Sequence, residues 1–586
     1  MSKPTYILGL SCYYHDAGVV LLKDGNIVFA AQEERYTRKK QDDRLPVSAT
    51  AKALGFAGIT IDDIDAVGFY EKPMLKFFDR ILSTYFKTWP LGLRQYQMAM
   101  QEWMHTKLWI PQQIEKELGY KGKIFYVQHH ESHAASSFYC SGFEDATTVT
   151  VDGVGEWATT TIGYGKGKKL DLKKEIHFPH SLGLLYSAIT YYIGFKVNSA
   201  EYKVMGLAPY GEPKYVDQFR ELITIKDDGS FNLNMKYFTY EHGLKMTGKK
   251  IETLFGQPTR KPESDLTQFH KDIAASVQKI TEEAMLKICK HAKEICPSDN
   301  LCLAGGVALN CVANGEILRS GLFKDIFIQP AAGDAGGALG VALAVWHKKF
   351  DGQRSPRIND VFWGTEYSDD AIRSLLDAEG LPYESLDEST LIDRVSSLLE
   401  GENVIGWFQD RMEFGPRALG NRSIIADARN KANWKKVNLK IKFREDFRPF
   451  APTVLEENTS EYFALDCESP YMLLVADVHP EKREVIPAVT HVDGSARIQT
   501  INEAQNPKYY NLIKAFREKT GCAVIINTSF NVRGEPIVES PKDALNCFLN
   551  THMDYLVMGN ILIEKSKMPA DRILQSGDYL QKFELD

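Results

Sequence analysis

The chain has 586 residues, 44% hydrophobic and 25% charged, the make-up of a globular protein too long for one hydrophobic core. Its formal net charge of −7 argues against a general DNA-binding role. No apolar run reaches the roughly 18–20 residues of a membrane span, no signal peptide opens the chain, and nine dispersed cysteines without a C-x-x-C pair fit reduced thiols. The expectation is a cytoplasmic protein with no DNA or membrane partner.

Residues 6–11 read as a short buried strand, followed by a polar turn over 12–16. Strands over 17–22 and 26–31 follow, joined by Lys23-Asp24-Gly25, whose Asp-Gly is a hairpin signal. Strand, polar turn and hairpin open the actin-like and sugar-kinase fold, in which the first turn faces nucleotide phosphates. His15 and Asp16 in that turn form a candidate acid/base pair, although a turn-stabilising aspartate beside an incidental histidine explains them as well. An imidazole with a pKa of about 6.5 suits proton abstraction near neutral pH. The charge run 33–40 ends the hairpin. Residues 72–120 read as helical and aromatic: Phe77, Phe78, Tyr85, Phe86, Trp89, Tyr96, Trp103 and Trp109. They fit an insertion with its own small core, or a cap that recognises an acceptor.

The stretch 127–137 reads as a strand end running into a helix. On it His129 and His133 are four residues apart, hence on one face, about 5–6 Å apart at Cβ. That spacing suits two imidazoles on one metal ion. In the protease motif H-E-x-x-H a glutamate follows the first histidine. Here His130 stands there, so a protease reading has no general base. His130 itself is rotated about 100° from His129 and is the weaker candidate base. Alone, the pair fits a capped helix with core histidines equally well. Two aspartates shift the balance. Asp152 follows a β-branched strand over 146–151 and opens Asp152-Gly153-Val154-Gly155-Glu156. Asp334 follows a strand over 326–330 inside Gly333-Asp334-Ala335-Gly336-Gly337. Each stands at a strand end among glycines, where α/β sheets face a ligand crevice. Two histidines and one or two aspartates suit iron(II), manganese or zinc.

Between these, 181–195 reads as a helix, 201–211 as a dense loop and 266–296 as a long amphipathic helix. Residues 301–310 read strand, glycine turn, helix. Backbone N–H groups at Gly305 and Gly306 favour an anion or nucleotide, and Asn310 and Asn314 could both face it. The spacing is not G-x-G-x-x-G, so a dinucleotide site is unsupported. Residues 348–362 read as a linker. Beyond it, a Gly/Pro turn at 414–423 presents Arg417 and Arg422. Residues 429–448 carry eight basic side chains against only Glu445 and Asp446. A pocket for several phosphates explains them better than DNA, because planar arginine forks bind phosphate bidentately; a solvated basic helix is the plain alternative. A strand over 524–527 leads into a polar loop, and Ser540-Pro541 reads as N-cap and first helical position.

Ten stretches together carry a resemblance: HDAG (15–18), EERYTRKK (33–40), HHESHAASSF (129–138), VDGVGEW (151–157), EYKVMGLAPYG (201–211), GGVALN (305–310), GDAGGALG (333–340), FGPRALGNRSI (414–424), FRPFAP (447–452) and NTSFNVRGEP (527–536). The chain resembles the O-carbamoyltransferases of antibiotic and nodulation-factor biosynthesis over nearly its whole length. The resemblance implies an α/β protein with two domains. The first, over 1–350, is a duplicated actin-like domain of the sugar-kinase and heat-shock type, interrupted near 72–120. The second, over 351–586, is YrdC-like. It also implies that carbamoyl phosphate and ATP, with Mg2+, give carbamoyl-adenylate in the second domain, and that a hydroxyl of a small natural-product or sugar-containing acceptor takes the carbamoyl group in the first.

By position, His129, His133, Asp152 and Asp334 would hold iron(II), with manganese or zinc as other options. His15, from its place in the first turn, is the candidate catalytic base, with Asp16 orienting it. Lys39, Gly305, Gly306, Asn310 and Asn314 would bind the adenylate in the first domain. Arg417, Lys442, Arg448, Arg497, Asn527 and Ser529 would bind ATP and carbamoyl phosphate in the second. A homodimer is left open. Two other functions fit parts of the chain. A tRNA-modifying carbamoyl or threonylcarbamoyl transferase shares the first-domain motifs but calls for a basic surface. A non-catalytic, nucleotide-gated actin-fold scaffold needs neither the metal set nor the arginines.

Overall fold

The chain forms two compact units. One comprises Met1–Glu33 and Gln41–Ile358, the other Glu34–Lys40 and Asn359–Asp586. The structure, a computed structural model, describes residues 3–445, 447–573 and 579–583; Asp446 of the basic run lies outside the described residues. None of the described helices is long and apolar enough to cross a membrane.

The first unit holds two five-stranded sheets of the same topology. In one, β1 (Tyr6–Ser11) is central. It pairs antiparallel with β2 (Gly18–Lys23), which pairs antiparallel with β3 (Asn26–Gln32). On its other side lie β4 (Ala66–Phe69) and β5 (Ile124–Tyr126), both parallel to it. Every residue of β1 and β4 is buried, which matches their unbroken apolar runs. The second sheet repeats the plan. Here β6 (Asp145–Val151) pairs antiparallel with β7 (Ala158–Lys166), and β7 with β8 (Lys169–His177). A small hairpin of β9 (Ile223–Ile225) and β10 (Phe231–Leu233) comes next in the chain. Then β11 (Asn300–Ala304) and β12 (Asp325–Ile328) extend the sheet in parallel from β6. The strand orders β3-β2-β1-β4-β5 and β8-β7-β6-β11-β12 are one arrangement used twice. This is the duplicated actin-like fold.

Two helices bring the site together. His129–Phe138 follows β5, and Asp334–Lys349 follows β12. They pack on each other and the second also covers β1. Their contact is close enough to require glycine at position 340: a Cβ there would stand 1.7 Å from the Ser132 carbonyl oxygen. The insertion between β4 and β5 is helical over 73–88, 93–107 and 110–118. It has a small core of Phe77, Trp103, Ile110 and Ile114, yet Phe86, Trp89, Leu91 and Trp109 are exposed. Residues 201–211, expected as a loop, form the helix Glu201–Leu207 and a further turn. Burial of Lys203, Val204 and Leu207 along one side decides this.

The second unit is an α/β domain on a nine-stranded mixed sheet, in the order β13-β21-β20-β14-β15-β19-β16-β18-β17. In chain order these are β13 (Glu384–Ser385), β14 (Ile405–Phe408), β15 (Arg422–Asp427), β16 (Ala451–Leu455), β17 (Leu474–Asp477), β18 (Ser495–Ile501), β19 (Val524–Ser529), β20 (Tyr555–Met558) and β21 (Ile561–Glu564). Ser540 caps the helix Pro541–Leu549 through the Asp543 N–H. Arg422 is not presented to a ligand. It is fully buried, donates to the Thr365 and Asp410 carbonyls, and stacks 3.7 Å over the Phe408 ring.

The segment 34–40 belongs to this second unit, so a division of the chain at 350/351 omits part of it. Arg38 is the reason. Its guanidinium meets buried Glu535 at 2.9 Å and donates to the Ile537 carbonyl at 2.7 Å and the Pro536 carbonyl at 2.9 Å. The Tyr579 hydroxyl completes the Glu535 shell at 2.7 Å. Lys39, placed with the first domain from sequence, lies in this same segment. Removing one partner of a buried ion pair costs about 3–5 kcal/mol. Arg38→Ala is therefore expected to lower the melting temperature of the second unit in calorimetry, and a fragment 359–586 to fold only when a 34–40 peptide is supplied. A fragment as stable as the full chain's second transition would contradict this.

Candidate functional site

His129 and His133 open the first helix after β5, and their Nε2 atoms lie 3.1 Å apart. The loop after β6 brings Asp152 Oδ2 to 2.9 Å from His129 Nε2 and 3.7 Å from His133 Nε2. The start of the Asp334–Lys349 helix brings Asp334 Oδ1 to 3.6 and 3.7 Å from the same two nitrogens. All four donor atoms fall within 4.8 Å of one another, and all four residues are buried. Metal–ligand bonds of about 2.0–2.2 Å place neighbouring ligands roughly 3–3.6 Å apart. Five of the six spacings, from 2.9 to 3.7 Å, lie close to that range. Asp334 Oδ1 has no hydrogen-bond partner among the described residues, as expected of a ligand atom. The residues fit one divalent ion, and two nitrogens with two oxygens suit a borderline metal.

The electrostatics agree. Burial alone would raise the Asp152 carboxyl, but its contacts with His129 and His133 hold it well below the usual range. Asp334 is likewise held low against burial by His15, His129 and His133. Burial works to lower His133, but Asp152 and Asp334 outweigh it and push it up to about 9. A backbone N–H aims Asp152. Gly305, at φ +93°, allows a turn in which a Cβ would stand 2.3 Å from the Val151 carbonyl oxygen. The next N–H, of Gly306, donates to Asp152 Oδ1 at 2.8 Å. This glycine turn therefore holds a candidate metal ligand, and the Gly306 N–H expected for a nucleotide phosphate is committed to Asp152. Asn310 caps its own helix and donates to Gln278, and Asn314 donates to the Ala308 carbonyl.

His15 joins the cluster. Its Nε2 is 3.9 Å from Asp334 Oδ2 and its Nδ1 is 3.4 Å from Asp16 Oδ2. Burial lowers its pKa, but Asp334 and Asp16 overcome that and push it up to about 10. His130, as its rotation implied, turns away. Its Nδ1 meets Thr150 Oγ1 at 2.7 Å, and burial with the two neighbouring histidines pushes it down to about 3. Tyr70 and Glu156 were not foreseen. The Tyr70 hydroxyl reaches Asp334 Oδ2 at 3.5 Å, and Glu156 holds the first N–H of the histidine helix.

In the second unit, Lys442 is buried and donates to the Ser529 carbonyl at 2.7 Å, Ser529 Oγ at 3.2 Å and the Asn531 carbonyl at 2.7 Å. Burial, then Arg444 and Arg448, keep its ammonium far below the usual lysine range. Asn527 donates to Gln499 Oε1 at 2.7 Å, and Gln499 donates to the Leu419 carbonyl at 2.8 Å, two residues past Arg417. The register of β16, β18 and β19 puts Arg497, Gln499, Thr453, Asn527 and Ser529 on one sheet face. Arg448 and Arg533 flank Glu445 at 3.7 and 3.8 Å. Gln499 and Arg533 were missed, although the period-2 polar pairs Arg497/Gln499 and Asn527/Ser529 within apolar strands signal such a face.

The actin-like duplication and this buried cluster define a class, and sequence comparison supplies the family. The carbamoyltransferase N-terminus model matches residues 6–343 and the carbamoyltransferase C-terminus model residues 396–565. The chain belongs to the carbamoyltransferase family and is a transferase. An uncharacterized protein of Synechocystis sp. is 50% identical over 99% of this chain and 100% of its own length. The nodulation protein NolNO of Sinorhizobium fredii is 40% identical over 94% of this chain and 79% of its own. The 3'-hydroxymethylcephem-O-carbamoyltransferase of Streptomyces clavuligerus is 36% identical over 46% of this chain and 50% of its own.

Metal uptake tests the cluster directly. After anaerobic loading, one divalent ion per chain is expected by elemental analysis, and none in the His129→Ala, His133→Ala double variant. Full metal content in that variant would remove the assignment.

Proposed function

We propose that this chain is an ATP-dependent O-carbamoyltransferase acting on a hydroxyl of a small natural-product or sugar-containing acceptor. The observation that carries it is the four-residue cluster of His129, His133, Asp152 and Asp334 within 4.8 Å, in a chain of the carbamoyltransferase family. The second unit carries the first half-reaction. Carbamoyl phosphate takes up water and releases phosphate. The carbamate oxygen then attacks the α-phosphorus of Mg2+-bound ATP, and pyrophosphate leaves. Arg417, Arg448 and Arg497 supply planar forks for phosphate oxygens. Lys442, Asn527 and Ser529 form the polar floor on the sheet face.

The second half-reaction belongs to the first unit. The acceptor oxygen attacks the carbamoyl carbonyl, the bond to AMP breaks, and the hydroxyl proton must leave. His15 takes that proton at Nε2, with Asp16 orienting the ring through Nδ1. A divalent ion held by the four ligands, iron(II) by the family resemblance, would neutralise both the aspartates and the departing AMP phosphate. Without that charge, His15 is held protonated by Asp334 and Asp16 and cannot serve as a base. The insertion 73–118, with Phe86, Trp89 and Trp109 exposed, is the element suited to recognising the acceptor.

One assay separates the parts. Purified protein receives ATP, carbamoyl phosphate and a pool of hydroxyl metabolites. Wild type is expected to release pyrophosphate and to yield a product heavier by one carbamoyl group. Arg417→Ala should give neither. His15→Asn should release pyrophosphate normally but transfer about 10²–10⁴-fold more slowly, the usual loss on removing a general base. Wild-type transfer by His15→Asn at saturating acceptor would move the base elsewhere, and undiminished pyrophosphate release by Arg417→Ala would refute the pocket.

A further inference from the structure

Glu156 is buried, 5% exposed, and makes no salt bridge among the described residues. Both of its oxygens accept the N–H of His129, each at 3.0 Å, and Oε1 also accepts the N–H of Lys72 at 2.8 Å. These two N–H groups sit at two helix starts. His129 opens the histidine helix, whose N-cap Gln128 contributes no side-chain bond. Lys72 is the N-cap before Pro73, where the insertion begins, and it contributes none either. One carboxylate thus does the capping of both helices. Such a charge is favoured at a helix N-terminus, where backbone N–H groups lack intrahelical partners.

The same loop makes a third tie. The Arg80 guanidinium, within the insertion, donates to the Gly155 carbonyl. Residues 152–156 therefore hold, within five positions, one candidate metal ligand, the backbone of a second, and two anchors of the insertion. The Nε2 position of His129 follows from where its backbone stands, and Glu156 fixes that backbone from outside the ligand set. Any displacement of Lys72 is passed to His129 through a single carboxylate.

We propose that Glu156 is a positioning residue that couples the metal centre to the helical insertion: it sets the place of His129, and ion binding in turn orders the start of the insertion. Coupling of this kind is reciprocal. The inference rests on the metal reading of the four-residue cluster.

The test uses the metal-free full-length chain, Co2+ as the probe, and hydrogen exchange over residues 72–88. Partners outside the ligand shell typically change metal affinity about 10–100-fold. Glu156→Gln keeps the shape and removes the charge. It is expected to weaken Co2+ binding at least about tenfold, to lower amide protection over 72–88 even without metal, and to abolish the extra protection that Co2+ confers there in wild type. Glu33→Gln is the control. It removes a similarly buried carboxylate that accepts the Ser48 and Ala49 N–H groups at 3.0 and 2.7 Å, and it should leave Co2+ affinity unchanged. If Glu156→Gln does not fold, Glu156→Asp, one methylene too short to reach both helices, is read in the same way.

Unchanged Co2+ affinity in the Glu156 variant overturns the coupling. So does an equal loss in Glu33→Gln, which would make the effect general destabilisation. Failure of wild type to bind Co2+ overturns the metal reading, and is distinguishable because the metal-free protection over 72–88 is measured separately.

Discussion

Two carboxylates buried side by side dominate the first unit. Asp152 and Asp334 are removed from water and face the same space, an arrangement that repulsion and desolvation both oppose. It holds because cationic or cation-binding groups surround them: His129 and His133 between them, and His15 on the far side of Asp334. A divalent ion fits the charge and the spacing better than any protein group present. Much of the surrounding structure serves to bring these two strand ends and one helix to a single point.

That convergence depends on close backbone approach. The histidine helix presents Ala134, Ala135, Ser136 and Ser137, and the Asp334–Lys349 helix answers with glycine and alanine, meeting it where Gly340 faces Ser132. Larger side chains would separate the helices and carry Asp334 away from the imidazoles. The Gly305–Gly306 turn similarly lets a backbone N–H reach Asp152. The aspartates occupy matching environments because both follow strands of one sheet. Asp152 ends the central strand of the second sheet, and Asp334 follows that sheet's outermost parallel strand, β12. Both stand at carboxyl ends of strands, where parallel sheets form crevices.

The second unit works on a different principle. Its polar groups are spread over a sheet face and the turns beside it, with Arg448 and Arg533 flanking Glu445. Lys442 is held by oxygens of Ser529 and Asn531 in place of a counter-charge, and burial has moved it far from its ordinary protonation range. Arg422, by contrast, is an arginine that looked like a ligand-binding fork and proved to be a tie among carbonyl oxygens. Linear sequence does not separate the two, because the partners that bury each cation come from distant positions.

The sequence by itself determined β1, β2, β3, β6, β11 and β12 of the first unit, the i,i+4 histidine face, the two strand-end aspartates and the family, since each is carried by local spacing or by contiguous motifs. Period-2 and period-3.6 patterns are local properties, so they survive without knowledge of the fold. Only the tertiary structure decided which distant groups meet. It turned the loop at 201–211 into a helix, assigned 34–40 to the second unit through Arg38 and Glu535, and committed the Gly306 N–H to Asp152. It also revealed Glu156, whose partners lie 27 and 84 positions away in the chain. No periodicity encodes a contact at such separation; it exists only because two helix starts and one loop, each stable for local reasons, are packed against the same sheet ends.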